Sequence, residues 1–81
     1  MKLAKDYLGT FNIKLNPDGH KSLMTYILYT FGEASSLKFD PDNNEVEIDI
    51  YSLKLKIDPV KAKEWIENHD AVKSAEIVPI Q

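Results

Sequence analysis

The spacing of apolar residues restricts the fold of this 81-residue chain more than any other feature of its sequence. In 7–15 and 46–50, apolar residues alternate with polar ones, which is the pattern of a strand that buries one face. Between these segments, 20–31 repeats apolar residues at the spacing of a helix with one buried side, and Gly32 is expected to end that helix. The chain is therefore predicted to alternate strands and helices along its length.

The second and third strands are less sharply bounded than the first. Leu37 and Phe39 predict a short second strand, and Val46 begins the third. Beyond Tyr51 the alternation resumes in the opposite phase, so a single long third strand needs a β-bulge or a bend near Tyr51 and Ser52. The pattern leaves open whether this point is a bulge within one strand or a break between two.

The end of the chain predicts a second helix and a last strand. Asp58 is a good N-cap, and Pro59 suits the first helical position because the N–H that it lacks would have no partner there. An apolar stripe follows at helical spacing, made of Ala62, Trp65, Ile66 and His69. Residues 71–80 predict the closing strand. Pro79 must lie on a sheet edge or at the end of a strand, because proline cannot donate a ladder hydrogen bond.

These elements follow in the order β-α-β-β-α-β. Two right-handed β-α-β crossovers joined by a hairpin place the strands in one antiparallel sheet with both helices on one face. The predicted fold class is therefore α+β, a ferredoxin-like two-layer sandwich with strand order 4-1-3-2 and a single domain over 1–81. A chain of this length buries only about 60 % of its unfolded surface, which leaves room for one core and a shallow groove.

Composition narrows the function classes. The chain has no cysteine, which excludes disulfides, thiolate metal ligands and cysteine nucleophiles. Its net charge is −3, and all 10 of its basic residues are lysines. Arginine supplies the planar fork that grips phosphate and guanine, so a nucleic-acid partner is not expected. The longest nearly apolar stretch, 23–31, is too short to span a bilayer, so no membrane contact and a cytoplasmic location are predicted.

The stretch FDPDNNEVEIDI, residues 39–50, places oxygen ligands at alternate positions, as the start of a calcium-binding EF-hand loop does. The first three ligand positions match and hold Asp40, Asp42 and Asn44. The sixth position needs glycine and holds Glu45, and the twelfth needs a bidentate glutamate and holds Tyr51. The stretch is therefore interpreted as a hairpin turn in which Asp and Asn side chains bond nearby backbone, and no metal site is predicted.

The loop into the first helix is the clearest candidate for a ligand site, because a helix N-terminus can hold an anion on its free backbone N–H groups. The residues that would line a site for a small anionic or amino-acid-like ligand are Asp18, Gly19, His20, Lys21 and Ser22. A loop followed by a helix cap explains the same residues without a ligand. The glycine spacing of a phosphate-binding loop is missing, so nucleotide hydrolysis is not predicted.

No pattern in the sequence predicts catalysis. His20 begins the first predicted helix, and His69 ends the second, where a charged histidine commonly stabilises the helix terminus. Serine, histidine and carboxylate residues do not fall into the spacing of a catalytic triad. No catalytic residue, metal ligand or cofactor is therefore assigned.

A surface for a protein partner has two candidate parts. Tyr26 and Tyr29 lie off the buried line of the first helix and form a candidate aromatic patch, although tyrosines also flank core stripes with their hydroxyls in water. The second part consists of lysines at polar positions of the predicted strands and near their ends, namely Lys14, Lys54 and Lys56. Either part would suit a protein partner or a second copy of the chain.

The layout of nearly the whole chain resembles the small regulatory modules of the ACT and NIL kind. The resemblance rests on the β-α-β-β-α-β order, on Gly19 opening the first helix and on AVKSAEIV, residues 71–78, after the second. It implies a ferredoxin-like fold that associates through sheet edges or faces. It also implies an amino-acid ligand near the loop into the first helix, at Asp18, Gly19 and His20.

These features predict a non-enzymatic binding or regulatory module that acts through the open face of its sheet or through an edge strand. Small-ligand sensing and homodimerisation are the two roles considered. One alternative is binding of RNA or single-stranded DNA on that face, which would need stacking aromatics on the central strands. The central outward positions hold Asn12, Lys14, Glu47 and Asp49, with Tyr51 the aromatic residue nearby. A second alternative is a small enzyme of unknown type.

Overall fold

The computed structural model describes residues 7–17, 19–53 and 56–79, and of His20 it describes the backbone alone. The described elements are β1 (Tyr7–Leu15), α1 (His20–Thr30), β2 (Gly32–Asp40), β3 (Glu45–Ser52), α2 (Pro59–Glu67) and β4 (Val72–Val78). This is the predicted order of strands and helices. Within the described residues, neither helix has the length and apolar character needed to cross a membrane.

The strands form one antiparallel sheet in the order β2-β3-β1-β4. This is the predicted 4-1-3-2 order read from the opposite edge, so the α+β class and the sheet topology are confirmed. β1 and β3 are the central strands, while β2 and β4 form the two edges. Along β1 and β3, buried residues alternate with half-buried or exposed ones because successive side chains point to opposite faces of a sheet.

A buried apolar cluster lies between the sheet and the helices. The sheet contributes Phe11, Ile13, Leu15, Val46, Ile48, Ile50, Val72 and Ala75. Both helices join this same cluster, α1 through Leu23 and Ile27 and α2 through Ala62 and Ile66. Fully burying one aliphatic side chain stabilises a fold by about 1.5–3 kcal/mol, so this cluster is the main stabilising feature of the domain. The other face of the sheet carries the polar residues.

The start of α2 follows the prediction closely. The Asp58 carboxylate accepts a hydrogen bond from the backbone N–H of Lys61 at 2.8 Å, and Pro59 is the first helical residue. The helix ends at Glu67, so His69 follows the helix instead of ending it. Because His69 lies beyond the last turn of α2, the helical spacing does not determine the direction of its ring.

The predicted second strand is too short. β2 has 9 residues and begins at Gly32, well before Leu37. Its register on β3 shifts between Ser35 and Lys38, and Ser36 has a φ of 55°. The extra residue of this bulge interrupts the alternation of polar and apolar side chains, so the pattern reveals only the end of the strand.

Within the described residues, β3 ends where the sequence predicts a bulge or a bend, and a separate bulge lies opposite on the neighbouring strand β1. The register between β1 and β3 shifts at Leu8 of β1, opposite Tyr51, so the extra residue belongs to β1. β3 ends at Ser52, and Leu53 forms a bend. The next part of the out-of-phase stretch, 54–55, lies outside the described residues.

Candidate functional site

Two loops lie side by side at one end of the sheet, because β1 and β4 are antiparallel neighbours. The end of β1 pairs with the start of β4 through Leu15 and Val72. Asn16 connects the two loops: its backbone N–H donates to the Ala71 carbonyl at 2.8 Å, and its side-chain amide donates to the Asp70 carbonyl at 2.8 Å. The loop into α1 is thus held against the loop that follows α2.

An open groove of about 560 Å³ lies between these loops and the helices. Its walls include Gly19, Ser22, Tyr26, His69 and Asp70. A second hollow of about 450 Å³ continues along α1 past Lys21 and shares Ser22, Tyr26 and His69 with the first. Together they form a shallow trough, which a small molecule or a short extended segment would fit better than a large ligand.

Gly19 sits where the two loops come closest. It is the N-cap of α1 and has no side chain with which to cap it. A Cβ at this position would lie 2.8 Å from the Cβ of Ala71 and 2.9 Å from its carbonyl oxygen. Because part of this obstruction is backbone, the close approach of the loops requires glycine at this position.

Tyr26 and His69 form the wall of the groove on the helical side. The Tyr26 hydroxyl donates a hydrogen bond to the Trp65 carbonyl at 3.1 Å, and the Tyr26 and His69 rings contact at a centroid distance of 4.7 Å. Nδ1 of His69 accepts a hydrogen bond from the Ala71 N–H at 3.1 Å, so a neutral ring carries its proton on Nε2. These bonds fix both rings in place.

The structure divides the five predicted ligand residues. Gly19 and Ser22 line the groove, and Lys21 lines the hollow that continues it. His20 is the first residue of α1, and Asp18 lies outside the described residues. The described part of the prediction therefore falls at one place, at the start of α1.

The described residues of the candidate partner surface are spread over the molecule. Tyr29 is 79 % exposed, whereas Tyr26 is half-buried in the groove between the helices, so the two tyrosines have different surroundings. Lys14 lies on the open sheet face, and Lys56 is exposed between β3 and α2. Lys54 lies outside the described residues. The four described residues, Lys14, Tyr26, Tyr29 and Lys56, do not form one patch.

The open sheet face carries cross-strand pairs of opposite charge. Lys14 Nζ lies 4.0 Å from Glu45, and Lys38 Nζ lies 3.9 Å from Glu47. Exposed ion pairs of this kind contribute at most about 1 kcal/mol each, so they give the face a mixed charge but add little to the stability of the sheet. Asp49, which accepts a hydrogen bond from Thr10, adds a further carboxylate to the centre.

The predicted turn between β2 and β3 is confirmed. The Asp40 carboxylate accepts hydrogen bonds from the backbone N–H groups of Asp42 and Asn43 at 3.1 and 3.4 Å, and from the Asn43 side chain at 2.8 Å. The bond from the Asn43 side chain lowers the pKa of Asp40 below its ordinary value. Among the residues that the structure describes, no three His, Asp or Glu side chains are arranged to hold a metal ion.

Sequence reasoning missed that Asn16 and Asp70 belong to the groove and that Tyr26 meets His69 there. A signal for the first of these was present. The predicted strand order makes β1 and β4 neighbours, and antiparallel neighbours bring the end of one strand beside the start of the other. The side-chain meeting of Tyr26 and His69 has no comparable signal, because it depends on the rotation and position of both helices.

Comparison with known proteins adds no relative. The chain matches no family model, and neither the curated proteins nor the solved structures contain a significant match to it. Function is therefore argued from the groove and the sheet themselves.

Proposed function

We propose that this chain is a non-enzymatic binding or regulatory module with a ferredoxin-like fold, and that its groove takes a small amino-acid-like ligand. The observation that supports this proposal most directly is that a helix N-terminus and an acidic residue line the same groove. The first turn of α1 offers backbone N–H groups, and the acidic residue Asp70 lines the same groove. A zwitterion matches such a pair of surroundings better than a simple anion does.

The expected orientation follows from electrostatics. The positive end of the α1 dipole favours the ligand carboxylate near Gly19 and Ser22. The ligand ammonium would then face Asp70, and its side chain would lie against the Tyr26 and His69 rings. This arrangement also agrees with the ligand position implied by the resemblance to ACT and NIL modules.

Binding is proposed in preference to catalysis because the reactive side chains of the groove have structural partners. The Tyr26 hydroxyl is committed to the Trp65 carbonyl, and Nδ1 of His69 to the Ala71 N–H. Glu47 and Asp49 at the centre of the open face would repel phosphate, which disfavours nucleic acid as the partner there. The location in the cytoplasm stays a prediction.

Titration with the twenty amino acids, followed by backbone amide NMR shifts, tests the proposal. We expect saturable shifts at 19–22 and 69–71 for at least one amino acid. Asp70→Asn should weaken that binding. The amine-free analogue of the same amino acid should bind less tightly to the natural chain, and Asp70→Asn should leave the affinity for this analogue unchanged. Asp42→Asn in the turn between β2 and β3 makes the same chemical change away from the groove and should have no effect.

Two outcomes would contradict the proposal. One is the absence of saturable shifts with all twenty amino acids. The other is equal loss of affinity in Asp70→Asn for the amino acid and for its amine-free analogue, because this would mean that Asp70 does not contact the ammonium group.

A further inference from the structure

The two edges of the sheet differ in how they end. β4 is followed at once by Pro79, which limits backbone pairing at that end of the edge. β2 has 9 residues, contains no proline and is exposed along most of its length. It also carries apolar side chains into solvent, with Leu37 47 % exposed and Phe39 38 % exposed. An exposed edge strand can act as a template for pairing with another strand, and the bulge and charged side chains of β2 limit the registers in which it can do so.

The bulge in β2 determines which side chains share a face. Before the bulge, Glu33 and Ser35 pair with Tyr51 and Asp49 on the open face of the sheet. After the bulge, Lys38 pairs with Glu47 and so faces the same side. Residues with odd numbers therefore face the open side before the bulge, and residues with even numbers do so after it.

This change of phase restricts how two copies of β2 can pair about a twofold axis. In an antiparallel pair the side chains of directly opposite residues lie on the same face. In β2, an odd-numbered residue before the bulge and an even-numbered residue after it lie on the same face. The two become directly opposite only when the twofold axis passes between two consecutive residues. If the axis passes between Ser35 and Ser36, Glu33 lies opposite Lys38 of the second copy.

The pairing with its axis between Ser35 and Ser36 is complementary in charge and in polarity. It forms the Glu33 to Lys38 contact twice, once on each side of the axis. It also places Ala34 opposite Leu37 on the helical side, again twice. Moving the axis by one residue toward Leu37 would instead set Glu33 against Asp40 twice, and like charges directly opposite each other destabilise a strand pair.

We infer that β2 pairs antiparallel with β2 of a second copy of this chain, with Glu33 opposite Lys38 of that copy, and so extends the sheet across a dimer. This inference rests on the proposed binding module and names its protein partner, but it does not depend on the ligand of the groove. A single pair of short edge strands forms a small interface, so the dimer is in a concentration-dependent equilibrium with the monomer.

Charge exchange tests the register. In Glu33→Lys, two attractive contacts become repulsive, and the dissociation constant of the dimer should rise by about tenfold, as expected from two exposed ion pairs. Lys38→Glu should have the same effect. The double variant that carries both changes restores opposite charges across the axis, and its dissociation constant should return close to that of the natural chain.

Sedimentation velocity over a wide range of protein concentration measures these constants. The matched controls are Glu76→Lys and Lys73→Glu, which make the same changes of net charge at exposed positions of β4. Both should dimerise as the natural chain does. High salt should weaken the natural dimer, because salt screens exposed ion pairs. It should have less effect on a variant in which residues 33 and 38 are both uncharged.

The inference is overturned if the natural chain is monomeric at the highest concentration reached, or if the double variant dimerises no better than the single ones. A response to Glu76→Lys in place of Glu33→Lys would assign the interface to β4 and would also overturn it. The result is separate from the ligand titration: a dimer without amino-acid binding leaves the register intact, and amino-acid binding by a strict monomer leaves the groove proposal intact.

Discussion

The hydroxyl of Tyr26 on α1 donates a hydrogen bond to the backbone carbonyl of Trp65 on α2 at a distance of 3.1 Å. The same ring contacts His69, which follows α2 and lines the groove. One side chain therefore joins the two helices and forms part of the groove wall. Changes at Tyr26 are expected to alter both the stability of the domain and the shape of the groove.

Tyr26→Phe should lower the free energy of unfolding by about 1 kcal/mol, which is the usual net contribution of one such hydrogen bond. The ring and its contact with His69 are kept, so the loss reports the hydroxyl alone. Urea unfolding followed by circular dichroism measures it. Tyr51→Phe removes the same atom from a ring that contacts Tyr7, and should change stability by less than about 0.5 kcal/mol. Equal losses in the two variants would contradict the role given to the Tyr26 bond.

Gly19→Ala should destabilise the domain by about 1–3 kcal/mol, the range for overpacking a close contact. The added methyl group would meet both the Cβ and the carbonyl oxygen of Ala71. Ala71→Gly removes the first obstacle and leaves the second. Gly19→Ala should therefore cost less stability in the Ala71→Gly background than in the natural chain. Thermal unfolding of the four chains gives this comparison. A neutral effect of Gly19→Ala would show that the loops are farther apart than described.

Acid should weaken the turn between β2 and β3. The hydrogen bond from the Asn43 side chain holds the pKa of Asp40 below its ordinary value of 3.8. A lowered pKa means that the charged carboxylate contributes stability at pH values above 3.8, and that this contribution is lost as the pH falls through the lower folded pKa. An NMR titration of the Asp40 carboxyl carbon should therefore give a midpoint below 3.8.

Asn43→Ala provides the test of cause, because it removes the side-chain donor and should raise the pKa of Asp40 toward its ordinary value. Asp42→Asn keeps the backbone N–H that Asp40 accepts from, and should change stability by no more than about 0.5 kcal/mol. An unchanged Asp40 midpoint in Asn43→Ala would refute the assignment of the shift to this hydrogen bond.

Calcium should bind the turn only weakly, in the range of about a millimolar that is typical of loosely held sites. The Asp40 carboxylate already accepts three hydrogen bonds from Asp42 and Asn43, and binding a cation would have to replace them. Titration of calcium against backbone amide shifts measures the affinity. Saturable shifts confined to 40–46 at micromolar calcium would move this stretch into the class of metal sites.

The sequence by itself determined the features that depend on neighbouring residues and on chain connectivity. Asp58 and Pro59 begin α2 because capping involves only the first turn of a helix. Asp40 closes its turn by bonds to residues two and three positions away. The order β2-β3-β1-β4 follows from the handedness of the two crossovers, which holds for nearly all such connections.

Only the tertiary structure decided the features that join distant parts of the chain. The bulge at Ser36 has no mark in the local pattern, because whether an extra residue is accommodated depends on the pairing of β2 with β3. The meeting of Tyr26 with Trp65 and His69 depends on how both helices lie on the sheet. Apolar spacing specifies which side of a helix is buried, but the residues beside that stripe acquire partners only when the neighbouring helix is in place.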